Sequence, residues 1–302
     1  MRNRIKIILV TGFLGSGKTT FLNKLIKYFS SDKTAVIVND FGKIAVDGIL
    51  LKNKLGENLK SKIYEISNGS IFCSCLSSEL VKSLKYFVDV NPDKLIIETS
   101  GLSDPSTFQT ILNENKLSDF FTIENSICIV DSTNVLKLKN KINVIEKQIA
   151  SSDVVLINKS KLVGGNILKE IGCFIRVSNT SCEIIETNYS EFDISILEKK
   201  KIERYYNVNE LCNTNINTIA KIFLKNKQIR LNDLKLFFKS IAELIFRLKG
   251  FLKIDDTIFY ISNNSKNLII EKYNGVKVDS YGLTVLSEMK YKKNIEKTWN
   301  SL

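Results

Sequence analysis

The sequence predicts an α/β fold, a mostly parallel sheet with helices on both faces, followed by a small α+β domain. Three observations predict it. Short apolar runs alternate with stretches of helical spacing through the first part of the chain, a glycine-rich loop joins the first run to the first helical stretch, and the character changes near residue 200. Alternating strand and helix signals imply parallel strands whose crossovers cover both faces of the sheet.

Ile5 to Val10 is a continuous apolar run ending at Thr11-Gly12, the pattern of a strand buried on both faces. Phe21, Leu22, Leu25, Ile26 and Phe29 give residues 18–29 one apolar helical face. Ala35–Val38 reads as a second strand and Ile63–Ile66 as a short third, and Leu80, Val81, Leu84 and Phe87 predict a helix over 79–88. Leu95–Ile97 and Ser126–Val130 are further strands that end in acids, Glu98 and Asp131. Lys141–Ala150 reads as a helix before the strand Val154–Ile157. Lys199-Lys200-Lys201 and the Asn-rich 207–217 are polar and punctuated, so domains are expected at 1–205 and 223–302 with a linker at 206–222. Beyond it the pattern predicts an amphipathic helix over Leu234–Leu248, ended by Gly250. Short strands are expected at Phe251–Ile254, Thr257–Ile261, Asn267–Glu271 and Gly275–Val278.

Composition narrows the chemistry. The 302 residues are 44% hydrophobic and 25% charged, which excludes a disordered or fibrous chain. There is no histidine, so imidazole is absent as base, proton shuttle or metal ligand, and a Ser-His-Asp hydrolase is excluded. Any metal must be held by thiolates, carboxylates or backbone oxygens. Six cysteines, at 73, 75, 128, 173, 182 and 212, are too sparse for a disulfide scaffold. The apolar start lacks a small-residue cleavage site, and no apolar run reaches bilayer-spanning length. The expected compartment is therefore cytoplasmic, with no membrane partner. Lys and Arg number 44 against 32 Asp and Glu, a net charge of +12 that suits anionic ligands such as phosphates. Without a recognition motif or interleaved aromatics, nucleic acid is not an expected partner.

Gly12-Phe13-Leu14-Gly15-Ser16-Gly17-Lys18-Thr19 fits the G-x-x-x-x-G-K-[ST] phosphate loop, and it lies between a buried strand and an amphipathic helix as the motif requires. Backbone N–H groups of residues 12–17 wrap the anion, helped by the close approach that Gly12, Gly15 and Gly17 allow beside Ser16. Lys18 supplies a point charge for the outer phosphates, the Thr19 hydroxyl is placed for Mg²⁺, and the helix dipole adds to both. A second Mg²⁺ acid must stand at a strand end facing this loop. The candidates are Glu98, Asp40 and Asp131.

These residues resemble a known family, the CobW-type P-loop GTPases, metallochaperone relatives of the urease and hydrogenase nickel-insertion GTPases. Residues 11–20, Thr11 through Lys18, Thr19 and Thr20, resemble that family's phosphate loop. Val38-Asn39-Asp40-Phe41-Gly42 with Asp47-Gly48 resembles its switch. Ile97-Glu98-Thr99-Ser100-Gly101-Leu102-Ser103-Asp104-Pro105 resembles its Glu-Thr-Ser-Gly block, and Asn158-Lys159 its guanine-recognition segment. Arg247-Leu248-Lys249-Gly250-Phe251-Leu252 is similar to its C-terminal domain. The resemblance implies a P-loop NTPase fold, GTP and Mg²⁺ as ligands, and hydrolysis coupled to metal delivery or to activation of a client metalloprotein or cobalamin-system protein, with a homodimer left open. It further implies that Gly101 senses the γ-phosphate, that Glu98 helps order Mg²⁺ and its waters, and that phosphate release relaxes the Asp40 loop.

Three departures bear on function. The family's metal motif is Gly-Cys-x-Cys-Cys. Here two of its cysteines are Ser70 and Phe72, Cys73 stays, and Cys75 is extra. Cys73 and Cys75 remain candidate ligands for Zn²⁺ or Co²⁺, with Glu65 or another group completing the site. The other four cysteines read as core residues. Lys161 stands where the family's guanine-reading acid would be, and a lysine cannot accept the base N–H groups. Lys43 replaces the usual acid after the switch glycine. Two functions therefore stand: a nucleotide hydrolase that carries or delivers metal, and a nucleotide-gated client-binding regulator that carries none.

Overall fold

Ile5–Thr11 forms strand β1, and every residue in it except Lys6 is buried. Alternation sends Ile5, Ile7 and Leu9 to one face of the sheet and Ile8 and Val10 to the other. Both faces must therefore be covered. The computed structural model describes residues 3–29, 33–40, 63–67, 77–139, 142–199, 219–264, 267–275, 278 and 280–302. They divide into two compact units, one ending at residue 199 and one beginning at 219.

In the first unit, β1 leads to α1 (Lys18–Tyr28), β2 (Thr34–Asp40), β3 (Ile63–Ser67), α2 (Ser77–Val90) and β4 (Lys94–Glu98). A short 3₁₀ turn at Pro105–Thr107 precedes α3 (Phe108–Glu114), followed by β5 (Phe121–Asp131), α4 (Val135–Leu138), α5 (Val144–Ala150) and β6 (Val154–Asn158). The unit continues with α6 (Gly165–Ser178), β7 (Glu183–Glu186) and α7 (Ile196–Lys199). The seven strands lie in the order β3-β2-β4-β1-β5-β6-β7, and every neighbouring pair is parallel. On one face Ile5, Ile7 and Leu9 pack with Ile37, Leu95 and Ile97 under Leu80, Leu84 and Phe87 of α2 and Phe108 and Leu112 of α3. Helix α1 buries Phe21, Leu22, Leu25 and Ile26. The parallel register brings the strand ends to one edge: Val10 beside Glu98, Val38 beside Glu98, Thr11 beside Cys128, and Asp131 beside Asn158.

The second unit contains β8 (Ile219–Lys225), α8 (Leu231–Ile241), β9 (Ile245–Ile254), β10 (Thr257–Asn264), β11 (Asn267–Lys272), β12 (Gly282–Glu288) and α9 (Lys292–Asn300). Its sheet, β11-β10-β9-β12-β8, is antiparallel throughout. Its core joins Leu234, Phe237, Phe238 and Ile241 of α8 and Ile295 and Trp299 of α9 to Ile222, Leu248, Leu252, Leu283 and Val285.

Here the structure corrects the sequence pattern. The expected helix over Leu234–Leu248 stops at Ile241, and Ile245 begins β9. Leu234, Phe238, Ile241, Ile245 and Leu248 sit at helical spacing, but the second half finds partners on both sides as a strand, with β10 and β12. Gly250 does not end a helix. It is paired within β9, where a Cβ would collide with the Gly282 carbonyl. Gly275 and Val278 belong to no strand, and the strand of that region is β12. Strand β8 begins at Ile219, inside the stretch expected as linker, and residues 206–218 lie outside the described residues.

Candidate functional site

The loop between β1 and α1 turns on glycines at positive φ: Gly12 at 134°, Gly15 at 78° and Gly17 at 110°. Two of them are required sterically as well. A Cβ at Gly12 would collide with the Ile129 carbonyl, and one at Gly17 with the Asn158 side-chain amide. Lys18, the first residue of α1, is buried, and its Nζ donates to the carbonyl oxygens of Gly12 at 2.8 Å and Phe13 at 3.2 Å. The ammonium thus lies folded over the loop. Ser16 is wholly buried and its Oγ has no hydrogen-bond partner among the described residues. Thr20 is exposed on the first turn of α1.

The wall beside this loop is the end of β4. Glu98 is 3% exposed, and its Oε1 accepts from Thr19 Oγ1 at 3.4 Å. These are hard oxygen donors of the kind Mg²⁺ takes, so the residues present fit that ion. Gly101 abuts the loop, and a Cβ there would stand 2.6 Å from Leu14 Cδ2 and 2.8 Å from the Leu14 amide nitrogen. Asp40 is the last residue of β2, at the same strand edge. The structure therefore brings Lys18, Thr19, Glu98 and Gly101 together.

On the other side stands the end of β6. Asn158 Nδ2 donates to the Ser16 carbonyl at 2.7 Å, and its Oδ1 accepts from the Ser190 amide at 2.8 Å. Lys159 adopts a left-handed φ of 62°, and its Nζ lies 2.6 Å from Asp131 Oδ2. Asp131 also accepts from the Thr133 amide at 2.9 Å and the Thr133 hydroxyl at 2.6 Å. Asp131 is therefore turned to Lys159 and its own turn, away from a Mg²⁺ role beside Thr19. Lys161 is exposed on the 3₁₀ turn that follows.

Ser190 was not legible in the sequence as part of this site. Tyr189 and Ser190 occupy left-handed φ angles of 53° and 55° in succession, a conformation that costs about 1 kcal/mol or more for each non-glycine residue. The only local signal is a turn-forming Asn188 after a strand. No spacing links that turn to the phosphate loop, because the bond from the Ser190 amide to Asn158 exists only in the fold.

Cys73 and Cys75, with Lys43, Ser70 and Phe72, lie outside the described residues, and among those described no cluster of three or more Cys, Asp or Glu could hold a metal. Of the cysteines expected in the core, Cys128 and Cys182 are buried, whereas Cys173 is exposed on α6. Burial pushes the Cys128 thiol up to about 12, against the opposing pull of the Lys18 ammonium. Burial also raises Cys182, with Arg176 opposing it. Among the described residues, no helix is long and apolar enough to cross a membrane.

Residues 6–186 match the CobW/HypB/UreG family, nucleotide-binding domain. The zinc chaperone YjiA of Escherichia coli strain K12 is 31% identical over 169 residues, covering 54% of this chain and 51% of the relative. Zinc-regulated GTPase metalloprotein activator 1 of Dictyostelium discoideum is 29% identical over 220 residues, covering 62% and 46%. The chain spans about half the length of the curated relatives it matches. Among solved structures, Zn(II)-bound YjiA GTPase from E. coli aligns over 99% of both chains at 20% identity with a TM-score of 0.49. The family match takes in more than half of the chain and runs from β1 to the end of β7, the strands whose edge carries Lys18, Glu98 and Asn158, and the chain belongs to the CobW/HypB/UreG nucleotide-binding family.

Proposed function

We propose that the chain binds GTP with Mg²⁺ at the phosphate loop, hydrolyses it to GDP and phosphate, and uses the difference between the two states to deliver a metal to a client metalloprotein or to activate that client. The observation that carries this reading is the convergence of Lys18, Thr19, Glu98, Gly101 and Asn158 around one glycine-rich loop. On binding, Lys18 exchanges the Gly12 and Phe13 carbonyls for the outer phosphates, a charge-assisted bond in place of two neutral acceptors. Thr19 and Glu98, with Asp40, would hold Mg²⁺ or its waters, and the ion would supply neutralisation of the charge that develops on the phosphates. Without histidine, orientation of the attacking water falls to a carboxylate or to the backbone near Gly101. Asn158 ties the base segment to the phosphate loop, and Asp131 holds Lys159 in place beside it.

The cargo metal on this reading is Zn²⁺, in line with relatives named as zinc chaperones and zinc-regulated activators, or Co²⁺, held by Cys73 and Cys75. A second reading, a client-binding regulator that carries no metal, draws on Ser70 and Phe72 in place of two thiols. The working compartment on either reading is the cytosol, where the sparse thiols stay reduced.

Nucleotide affinity of metal-free protein for GTP, GDP and ATP with Mg²⁺, repeated with Zn²⁺ or Co²⁺, tests the proposal. The expected result is GTP binding strengthened by metal, with the enhancement lost in Cys73→Ser. Lys18→Ala should weaken nucleotide binding by about ten- to a hundredfold, the worth of hydrogen bonds to a charged group. Tight GTP binding without a metal effect would leave the metal-free regulator, and failure to bind any nucleotide would overturn both.

A further inference from the structure

Helix α5 places two buried polar side chains against the segment that follows β4. Gln148, wholly buried, donates from Nε2 to the carbonyl oxygens of Ser103 at 3.0 Å and Gly101 at 3.3 Å. Beside it, Lys147 Nζ lies 3.0 Å from Asp104 Oδ2, with side chains only 8% and 12% exposed. Asp104 Oδ1 in turn accepts from the Ser106 amide at 3.0 Å and the Ser106 hydroxyl at 2.6 Å. The hydroxyls of Ser100 and Ser103 share a 2.8 Å hydrogen bond. Residues 100–104 are therefore gripped by α5.

The same helix runs directly into β6. Ser152 Oγ donates to the Gln148 carbonyl at 2.7 Å, and Asp153 Oδ2 accepts from the Ser126 amide at 2.7 Å. Strand β6 ends at Asn158, which bonds the Ser16 carbonyl. One α5–β6 unit thus reaches the phosphate loop from two sides, through Gln148 and Gly101 packed on Leu14, and through Asn158 and Ser16.

Gln148 carries an imbalance. Two carbonyls can be met only by a donor, so the amide must present Nε2 to them, and this leaves Oε1 buried with no hydrogen-bond partner among the described residues. An unmet acceptor in the interior is costly, and a shift of residues 100–104 that turned a main-chain N–H toward Oε1 would relieve it. This segment is the one whose Gly101 abuts the phosphate loop at Leu14.

We propose that Gln148 is a positioning residue that gives residues 100–104 two arrangements, one bonded to Nε2 through carbonyls and one bonded to Oε1 through an N–H, and so links this segment to the terminal phosphate of the bound nucleotide. The proposal rests on the nucleotide reading of the site given above.

The test measures binding of fluorescent GDP and of a non-hydrolysable GTP analogue to the full chain with Mg²⁺, for wild type, Gln148→Met and Gln148→Glu, together with kcat and KM for GTP. Gln148→Met keeps the shape and removes both hydrogen-bonding groups. It should leave GDP affinity within about twofold, cut the triphosphate-to-diphosphate preference by about tenfold with a matching rise in KM for GTP, and lower kcat, the scale of one or two lost neutral hydrogen bonds. In Gln148→Glu the neutral acid keeps one O–H donor and the ionised acid keeps none, while burial and the facing carbonyls favour the neutral form. Its preference should therefore fall, relative to wild type, as pH rises from about 7 to 9. An equal loss of affinity for both nucleotides with a lowered Tm would mean a packing role and overturn the proposal. So would an unchanged preference in Gln148→Met or, where that variant does not fold, a pH profile of Gln148→Glu parallel to wild type. Wild type that binds no nucleotide overturns the underlying reading. Wild type that discriminates, beside variants that do so equally, overturns only the role of Gln148.

Discussion

Cys128 sits in β5 opposite Thr11, one position before Ile129, whose carbonyl excludes a side chain at Gly12. Its thiol ionises only near 12 in the folded chain, against 9.0 for an ordinary cysteine, because burial disfavours the thiolate more than Lys18 favours it. Below pH 9.0 both folded and unfolded chains carry the neutral thiol, so the group adds no pH dependence. Between pH 9.0 and about 12 only the unfolded chain ionises, and stability falls as pH rises. Denaturant unfolding of Cys128→Ala and wild type across this range should show a shallower decline in the variant. Alkylation at pH 8 should label exposed Cys173 and spare Cys128 until the chain unfolds. At this scale the phosphate-loop residues were legible because their chemistry is contiguous. Asp131 was legible only as an acid at a strand end, and its pairing with Lys159 follows from the parallel register of β5 and β6.

Helix α5 shows how much an element can hold without a motif. It covers Val144–Ala150, yet it carries both the Lys147–Asp104 ion pair and the Gln148 bonds. Removing one partner from a buried pair strands the other charge in the interior, so Lys147→Ala should cost about 3–5 kcal/mol. Thermal or denaturant unfolding measures it, and the double variant Lys147→Ala, Asp104→Ala should recover part of the loss. Strands β1, β4, β5 and β6 were recognisable because strands buried on both faces are uninterrupted apolar runs. Strand β9 was recognisable only at Phe251–Ile254. Its first residues, from Ile245, continue the helical spacing of α8, and local pattern does not say whether a neighbouring strand is waiting. Helix α6 went unread although Ile167, Leu168, Ile171, Phe174 and Ile175 stand at helical spacing, and of these the fold buries only Ile171 and Ile175.

Each unit of the molecule buries a core of its own, and the single tryptophan, Trp299, lies in the second, 5.0 Å from the Phe237 ring and hydrogen-bonded to the Lys225 carbonyl. Trp299 fluorescence therefore reports unfolding of the second unit, and far-UV circular dichroism reports both. Nucleotide at a hundred times its Kd should stabilise the unit that binds it by about 2.7 kcal/mol. The circular-dichroism transition should then move to higher temperature with GDP and Mg²⁺. At this scale the sequence alone determined the class of fold, the phosphate loop, the absence of imidazole chemistry and the order of the family blocks. All of these are properties of composition or of neighbours along the chain. Only the tertiary structure decided that Asn158 and Ser190 close one side of the phosphate loop, that Gln148 grips Gly101 on the other, and that residues 245–250 are strand. Those partners stand 32 residues apart for Asn158 and Ser190 and 47 for Gly101 and Gln148, and which of the many distant polar groups meet is set by sheet order and register.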